Sequence, residues 1–211
     1  MSVCCEHDHG PVAPSDHAFR RALWIALVVN ATMFVVESAA GLFSGSAALK
    51  ADALDFFGDA SNFAVSLFAL GLAGAWTSRA ALLKGVTMGA FGLYILGDAA
   101  AKIFTGAVPE PATMGIVGCL ALAANVGSAV LLYRHRGGDA NRRSAWLCSR
   151  NDAIGNVAVL VAAGTVSLTG TAWPDIIVAA IMAGLELTSA QAIIVHALAE
   201  LRRPRLAAAA D

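Results

Sequence analysis

Six stretches of this 211-residue chain are each apolar over the roughly 20 residues a helix needs to cross a ~30 Å hydrocarbon core. They run about Ala22–Phe43, Ala48–Ala73, Leu82–Phe104, Thr113–Tyr133, Ser144–Leu168 and Pro174–Leu201. The segments SGS, WTSR, the Pro109–Pro111 pair, RHRGGDANRR and TGTAWP separate them and carry the expected turn signals. Only 14% of the residues are charged and 58% are hydrophobic, where a soluble domain carries about 25% charged residues. The sequence therefore predicts an all-α integral membrane protein of six transmembrane helices, with no room for a large soluble domain. The net charge of −1 gives no reason to expect nucleic acid as a partner.

The placement of the charges carries more information than their sum. Arg20, Arg21, Arg79, Lys84, Arg134, Arg136, Arg142, Arg143, Arg202, Arg203 and Arg205 all fall on one side of a six-span arrangement, eleven of the fourteen Lys and Arg. By the positive-inside rule both termini are expected to be cytoplasmic. Lys50 and Lys102 lie near enough to the opposite face to snorkel there. Arg150, about two turns into the fifth span, is expected to snorkel inward or to meet a carboxylate. MSVCCEHDHG has neither a basic n-region nor an apolar h-region, so the first helix serves as the insertion signal. The expected location is a multi-pass membrane protein, of the inner membrane in a prokaryote. Cys4 and Cys5 fall on the cytoplasmic side and Cys119 and Cys148 within helices, which suggests no disulfide framework. The chain divides into a flexible Cys/His-rich tail (1–20), a six-helix transport domain (21–203) and a short tail (204–211).

Three aspartates interrupt the second span in DALDFFGDASN, residues 52–62. Each costs about 2.5–3.5 kcal/mol at the centre of a spanning helix. Spacings of 3 and 4 put Asp52, Asp55 and Asp59 on one helical face, with Asn62 a turn further on. A second cluster, CSRNDAIGN (148–156), lies in the fifth span. Cys148 and Asp152 stand at i and i+4 there, with Asn151 and Asn156 near the same face. Two carboxylates from one helix, with a carboxylate and a thiolate from the other, make a four-donor set suited to Zn²⁺ or Cd²⁺. Taken alone, Cys148 is equally a small apolar core residue, and isolated acids can sit protonated between helices. GDASNFAVSL and NDAIGNVAVL also share a pattern of Asp-Ala, then Asn, then an apolar run, as internal repeats of transporters do.

SGSAALKADALDFFGDASN, followed by a later helix carrying NDAIG, resembles the cation diffusion facilitator family of metal-ion/proton antiporters. Glu37 and Gly41 before the Ser44–Ser46 turn, Asp52, Pro109 and Asn125 extend the likeness over about residues 20 to 200. The resemblance implies metal ligands at Asp55 and Asp59 on helix two and at Cys148 and Asp152 on helix five. Asp55 and Cys148 stand where zinc-transporting members often have His, which bears on metal selectivity. Members commonly continue after helix six into a cytoplasmic metal-sensing domain, about the size of a small independent domain. This chain reaches only a short tail after Arg203, so it is expected to be a short form, a homodimer held by its membrane helices.

The function so implied is efflux of a divalent cation, Zn²⁺ first and Cd²⁺ next, in exchange for protons by alternating access. The metal is substrate, and no prosthetic group is expected. Asp52, Asn62, Asn156, Glu37 and Asn151 would support the ligands by hydrogen bonds or relay protons; for Glu37 a packing hydrogen bond is an equal reading. Cys4, Cys5, His7, Asp8 and His9 could capture metal on the tail, or be a solvated tail and no more. Asp98 is expected to pair with Lys102 at i+4, and Glu186 has no assigned role. Two other readings compete: the same kind of carrier selective for Fe²⁺, Mn²⁺, Co²⁺ or Ni²⁺, and an intramembrane aspartyl protease using Gly58-Asp59 and Gly97-Asp98. The protease reading lacks the Gly-x-Gly-Asp pattern, because residue 56 is Phe and residue 95 is Ile.

Overall fold

The computed structural model describes residues 17–68, 74–135 and 140–207, which form six α-helices and the turns between them. In chain order these are α1 (His17–Ser44), α2 (Ala47–Phe68), α3 (Gly74–Thr105), α4 (Pro111–Tyr133), α5 (Ala140–Thr169) and α6 (Trp173–Ala207). A helix stands at each of the six expected spans, the second described only to Phe68, and no strand occurs among the described residues. The tail residues Cys4, Cys5, His7, Asp8 and His9 lie outside the described residues. α1 starts four residues inside the expected tail, and α6 continues past 203. Five helices are long and apolar enough to cross a membrane. α2 falls short because it carries Asp52, Asp55 and Asp59.

The helix ends follow from local sequence. Gly45, Gly106 and Gly170 follow α1, α3 and α5 directly, with φ of 70°, 64° and 63°. That left-handed conformation costs glycine nothing and closes the last turn, as the Gly106 N–H shows by donating to Lys102 O at 2.9 Å. Ser46 caps α2, its hydroxyl accepting from the Leu49 N–H at 3.1 Å. Glu110 caps α4 through the Ala112 and Thr113 N–H groups, with Pro111 opening the helix.

α1, α2, α4 and α5 pack as one group, while α3 and α6 pack chiefly on each other; α2 touches both sets. Gly85 and Gly92 explain how close α3 and α6 come. A Cβ on Gly85 would lie 2.9 Å from Ile194 Cγ1 and 3.3 Å from Ala190 O; one on Gly92 would lie 3.1 Å from Leu187. Small residues at such a contact let backbones approach where lipid gives no hydrophobic drive for association. The outward faces carry exposed apolar side chains such as Val35, Leu83, Ile116, Val161 and Val195, as a lipid-facing surface requires.

Apolar layers close the bundle towards both ends. One, including Ala48, Leu49, Leu54, Ala99, Met114, Ala163, Ile176 and Ala179, involves α2, α3, α4, α5 and α6. Another, with Phe19, Leu23, Phe63, Leu67, Leu132 and Ala145, packs the basic end and, among the described residues, ties α1, α2, α4 and α5.

At the far end the structure corrects the expectation for the lysines. Lys102 does not snorkel: it is buried, 3.1 Å from Asp175 Oδ2, and donates to Gly45 O. Lys50 pairs with Asp98 at 2.9 Å, and the expected Asp98–Lys102 pair is a longer 3.5 Å contact. Asp175, from the first turn of α6, accepts from Ser46 Oγ at 2.6 Å, Ala47 N at 2.9 Å and Ala48 N at 3.0 Å. Carboxylates from neighbouring helices meet both ammonium groups, so neither is left as an uncompensated buried charge. Among the described residues Arg150 meets no carboxylate; it is exposed, lies 5.2 Å over the Trp146 ring and donates to Asn151 Oδ1 at 3.2 Å.

Candidate functional site

The middle of the bundle encloses a cavity of about 190 Å³ between α2, α3, α5 and α6. α2 lends it Asp55, Asp59 and Asn62, and α5 lends Cys148, Asn151 and Asp152. The two clusters singled out by helical spacing therefore do face one shared space. The reason is geometric: α2 and α5 are neighbours, and each presents one turn-spaced polar face to the other. Asp59 and Asp152 meet within hydrogen-bonding reach. Asp59 is 3% exposed, and its Oδ2 has no hydrogen-bond partner.

Two wall residues are not assigned to a site by the sequence. Glu186 of α6 faces Asp55 within hydrogen-bonding reach, so the cavity holds four carboxyls arranged as two pairs, Asp59–Asp152 and Asp55–Glu186. Lys84 of α3 does not lie in a loop, as the charge pattern suggests. It is in the cavity wall, donates to Asn62 Oδ1 at 2.5 Å, and its charge acts on Asp59 and Glu186. A carboxylate near mid-span was the available signal for Glu186. For Lys84 there was none, because positive charge near a helix end reads as topology. Among the described residues no three His, Cys, Asp or Glu side chains converge closely enough to hold a metal ion as they stand.

Cys148 borders the same cavity and is 4% exposed. To act as a ligand this sulfur has to be deprotonated to a thiolate.

Asp52 leaves the cavity group and heads a second polar chain. It is fully buried, accepts from Asn156 Nδ2 at 2.6 Å and faces Glu37 of α1. Asn156 Oδ1 in turn accepts from Asn125 Nδ2 at 3.0 Å. Glu37, Asp52, Asn156 and Asn125 thus link α1, α2, α5 and α4 one turn from the carboxyl pairs. Of the supporting residues expected from sequence, Asn62 and Asn151 line the cavity while Asn156, Asp52 and Glu37 stand behind it. Asp98 is at the far end with Lys50 and lines no part of the cavity, so the Asp59–Asp98 dyad of the protease reading is not formed.

Residues 23–202 match the family defined as the cation efflux transmembrane domain. The chain belongs to the cation diffusion facilitator, or cation efflux, family. This family member is 27% identical over 194 residues to the metal cation efflux system protein CzcD of Cupriavidus metallidurans, an alignment covering 86% of this chain and 60% of that protein. It is 27% identical over 201 residues to a cadmium, cobalt and zinc/H(+)-K(+) antiporter of Bacillus velezensis, covering 87% of this chain and 62% of the relative. With the zinc transporter ZitB of Escherichia coli it shares 28% identity over 213 residues, covering 92% of this chain and 67% of the relative. The chain thus spans about 60% of the length of the first of these relatives. With five apolar helices and a transmembrane family domain, it is a multi-pass membrane protein.

Proposed function

We propose that this protein carries a divalent metal cation out of the cytoplasm, acting as a transporter and not as an enzyme. One observation carries the reading: Asp59 of α2 and Asp152 of α5 face each other across a cavity inside a membrane-spanning bundle. Acids at that depth are costly unless they bind something. Asp55, Asp59, Cys148 and Asp152 are the proposed ligands, the sulfur binding as a thiolate. Zn²⁺ and then Cd²⁺ are the first substrates to test, the metals named in the relatives.

Proton exchange follows from the chemistry of the donors. Carboxylates bind metal only when deprotonated, so loading an ion releases protons and reprotonation expels it. The packed far half supports access from the basic side. Movement of the α3–α6 pair against the other four helices would expose the cavity to the opposite side. The positive-inside pattern makes the basic side cytoplasmic, and a homodimer would use lipid-facing helix surfaces.

In proteoliposomes carrying a pH-sensitive dye, Asp59→Asn and Asp152→Asn should each abolish zinc- or cadmium-driven proton flux. Wild-type flux in both variants would refute the site.

A further inference from the structure

We propose that Lys84 is a tethered counter-cation of the cavity, its ammonium competing with the metal for Asp59 and Glu186 and so helping to expel it. The inference rests on the reading of the cavity as the transport site; that reading concerns binding, and this one concerns release.

Lys84 is the eleventh residue of α3. A lysine there for topology alone would extend its ammonium to the membrane surface. This one turns inward and lines the cavity with Asp55, Asp59, Asp152 and Glu186, the one basic side chain among the described residues that does so. Gly85, next in sequence, fixes the placement. It lets α3 lie against Ala190 of α6, one turn beyond Glu186.

Donors and acceptors are mismatched around it. Among the described residues the ammonium spends one of its three N–H groups, on Asn62 Oδ1 at 2.5 Å. Asp59 Oδ2 and Glu186 Oε2 are buried without a hydrogen-bond partner, and the Lys84 charge acts on both of these carboxyls. Unserved buried acceptors are costly, and here they share a cavity with unspent donors. The flexible four-carbon stem of lysine lets the ammonium pass from the Asn62 amide to the carboxylates and back. A metal ion claims the same lone pairs, so ion and ammonium exclude each other there. Lys84 and Glu186 both belong to the α3–α6 pair, whereas Asn62 belongs to α2. Movement of that pair takes Lys84 away from Asn62 but not from Glu186, and returns the ammonium to the carboxylates as the cavity changes sides.

The test compares wild type, Lys84→Met and Lys84→Arg in two measurements: Zn²⁺ binding to purified full-length protein by calorimetry, and zinc flux in proteoliposomes. Removing a unit charge beside the ion should tighten Zn²⁺ binding by Lys84→Met about 10-fold. KM should fall with it, and maximal flux should fall by a similar factor because release slows. Lys84→Arg keeps the charge and should return both values toward wild type. A lysine that only pinned α3 to Asn62 would show weaker binding when removed. Zn²⁺ binding by Lys84→Met no tighter than wild type, or maximal flux undiminished, overturns the assignment. The wild type gives a further readout, because the sequence holds three lysines and two, Lys50 and Lys102, lie at the far end. In protein labelled with ε-¹³C-lysine, Zn²⁺ should move one NMR signal and leave two in place; with Zn²⁺ bound, three unmoved signals overturn the assignment. If wild type binds neither Zn²⁺ nor Cd²⁺, the transport reading falls and the counter-cation falls with it.

Discussion

Residue by residue, the cavity and the cap behave differently because the cavity's carboxyls lie within the bundle and the cap is wet. Asp52, Asp55 and Asp59 read alike in sequence, yet they have three different surroundings: Asn156 and Glu37, Glu186, and Asp152. A one-turn step along α2 is enough to change which helix a carboxyl meets. Glu110, by contrast, is exposed, and its hydrogen bonds with Thr113 hold its carboxyl below the ordinary 4.5. A depressed folded value means that the cap stabilises α4 above the unfolded pKa and loses that contribution as pH falls through the folded one. NMR amide shifts of Ala112 and Thr113 should therefore titrate with a midpoint below 4.5. Glu110→Gln should flatten both titrations, and unchanged curves would mean that the cap does not form in solution.

At the scale of the helix, the periodicity that predicts six helices says which face of each is polar but not how near its neighbours come. The α3–α6 contact depends on residues with no side chain. In Gly85→Val the added carbons would meet Ile193, Ile194 and the Ala190 carbonyl, a crowding that costs roughly 1–3 kcal/mol. Thermal unfolding in detergent should show the loss, while the same change at Gly115, where nothing lies within 4 Å, should not. Gly45 and Gly170, which end α1 and α5, were legible within the turn signals SGS and TGTAWP, whereas Gly106 after α3 was not. The α2 cap was legible only in part. Ser46 is a recognisable N-cap, but the carboxylate that takes the next N–H groups comes from Asp175, 128 positions away along the chain.

The whole bundle is two helix groups joined by an apolar layer and, at the far end, by Lys50–Asp98 and by Asp175 on the start of α2. Asp175 and Lys102 are both buried, and the carboxylate also holds the first N–H groups of α2. Asp175→Ala takes from the buried Lys102 its shortest carboxylate contact, leaving the longer one to Asp98, and uncaps α2, so it should destabilise the protein by about 3–5 kcal/mol. A detergent melt of Asp175→Ala beside Asp98→Ala separates the two carboxylates. The larger loss should fall on Asp175, because Asp98 is partly exposed. Equal losses would mean that the α2 cap adds nothing.

By itself the sequence determined the class, the six helices, the family likeness and the two polar faces on α2 and α5. All of these depend on composition or on the 3.6-residue period, which are local quantities. Only the tertiary structure decided that Glu186 and Lys84 enter the cavity, that Asp52 turns away to Asn156, and that Lys102 is buried against Asp175. Each of those outcomes depends on which helix stands beside which, at what rotation and depth. Hydropathy cannot set that arrangement, because in lipid every apolar helix face is equally at home until small residues and buried charges choose its neighbour.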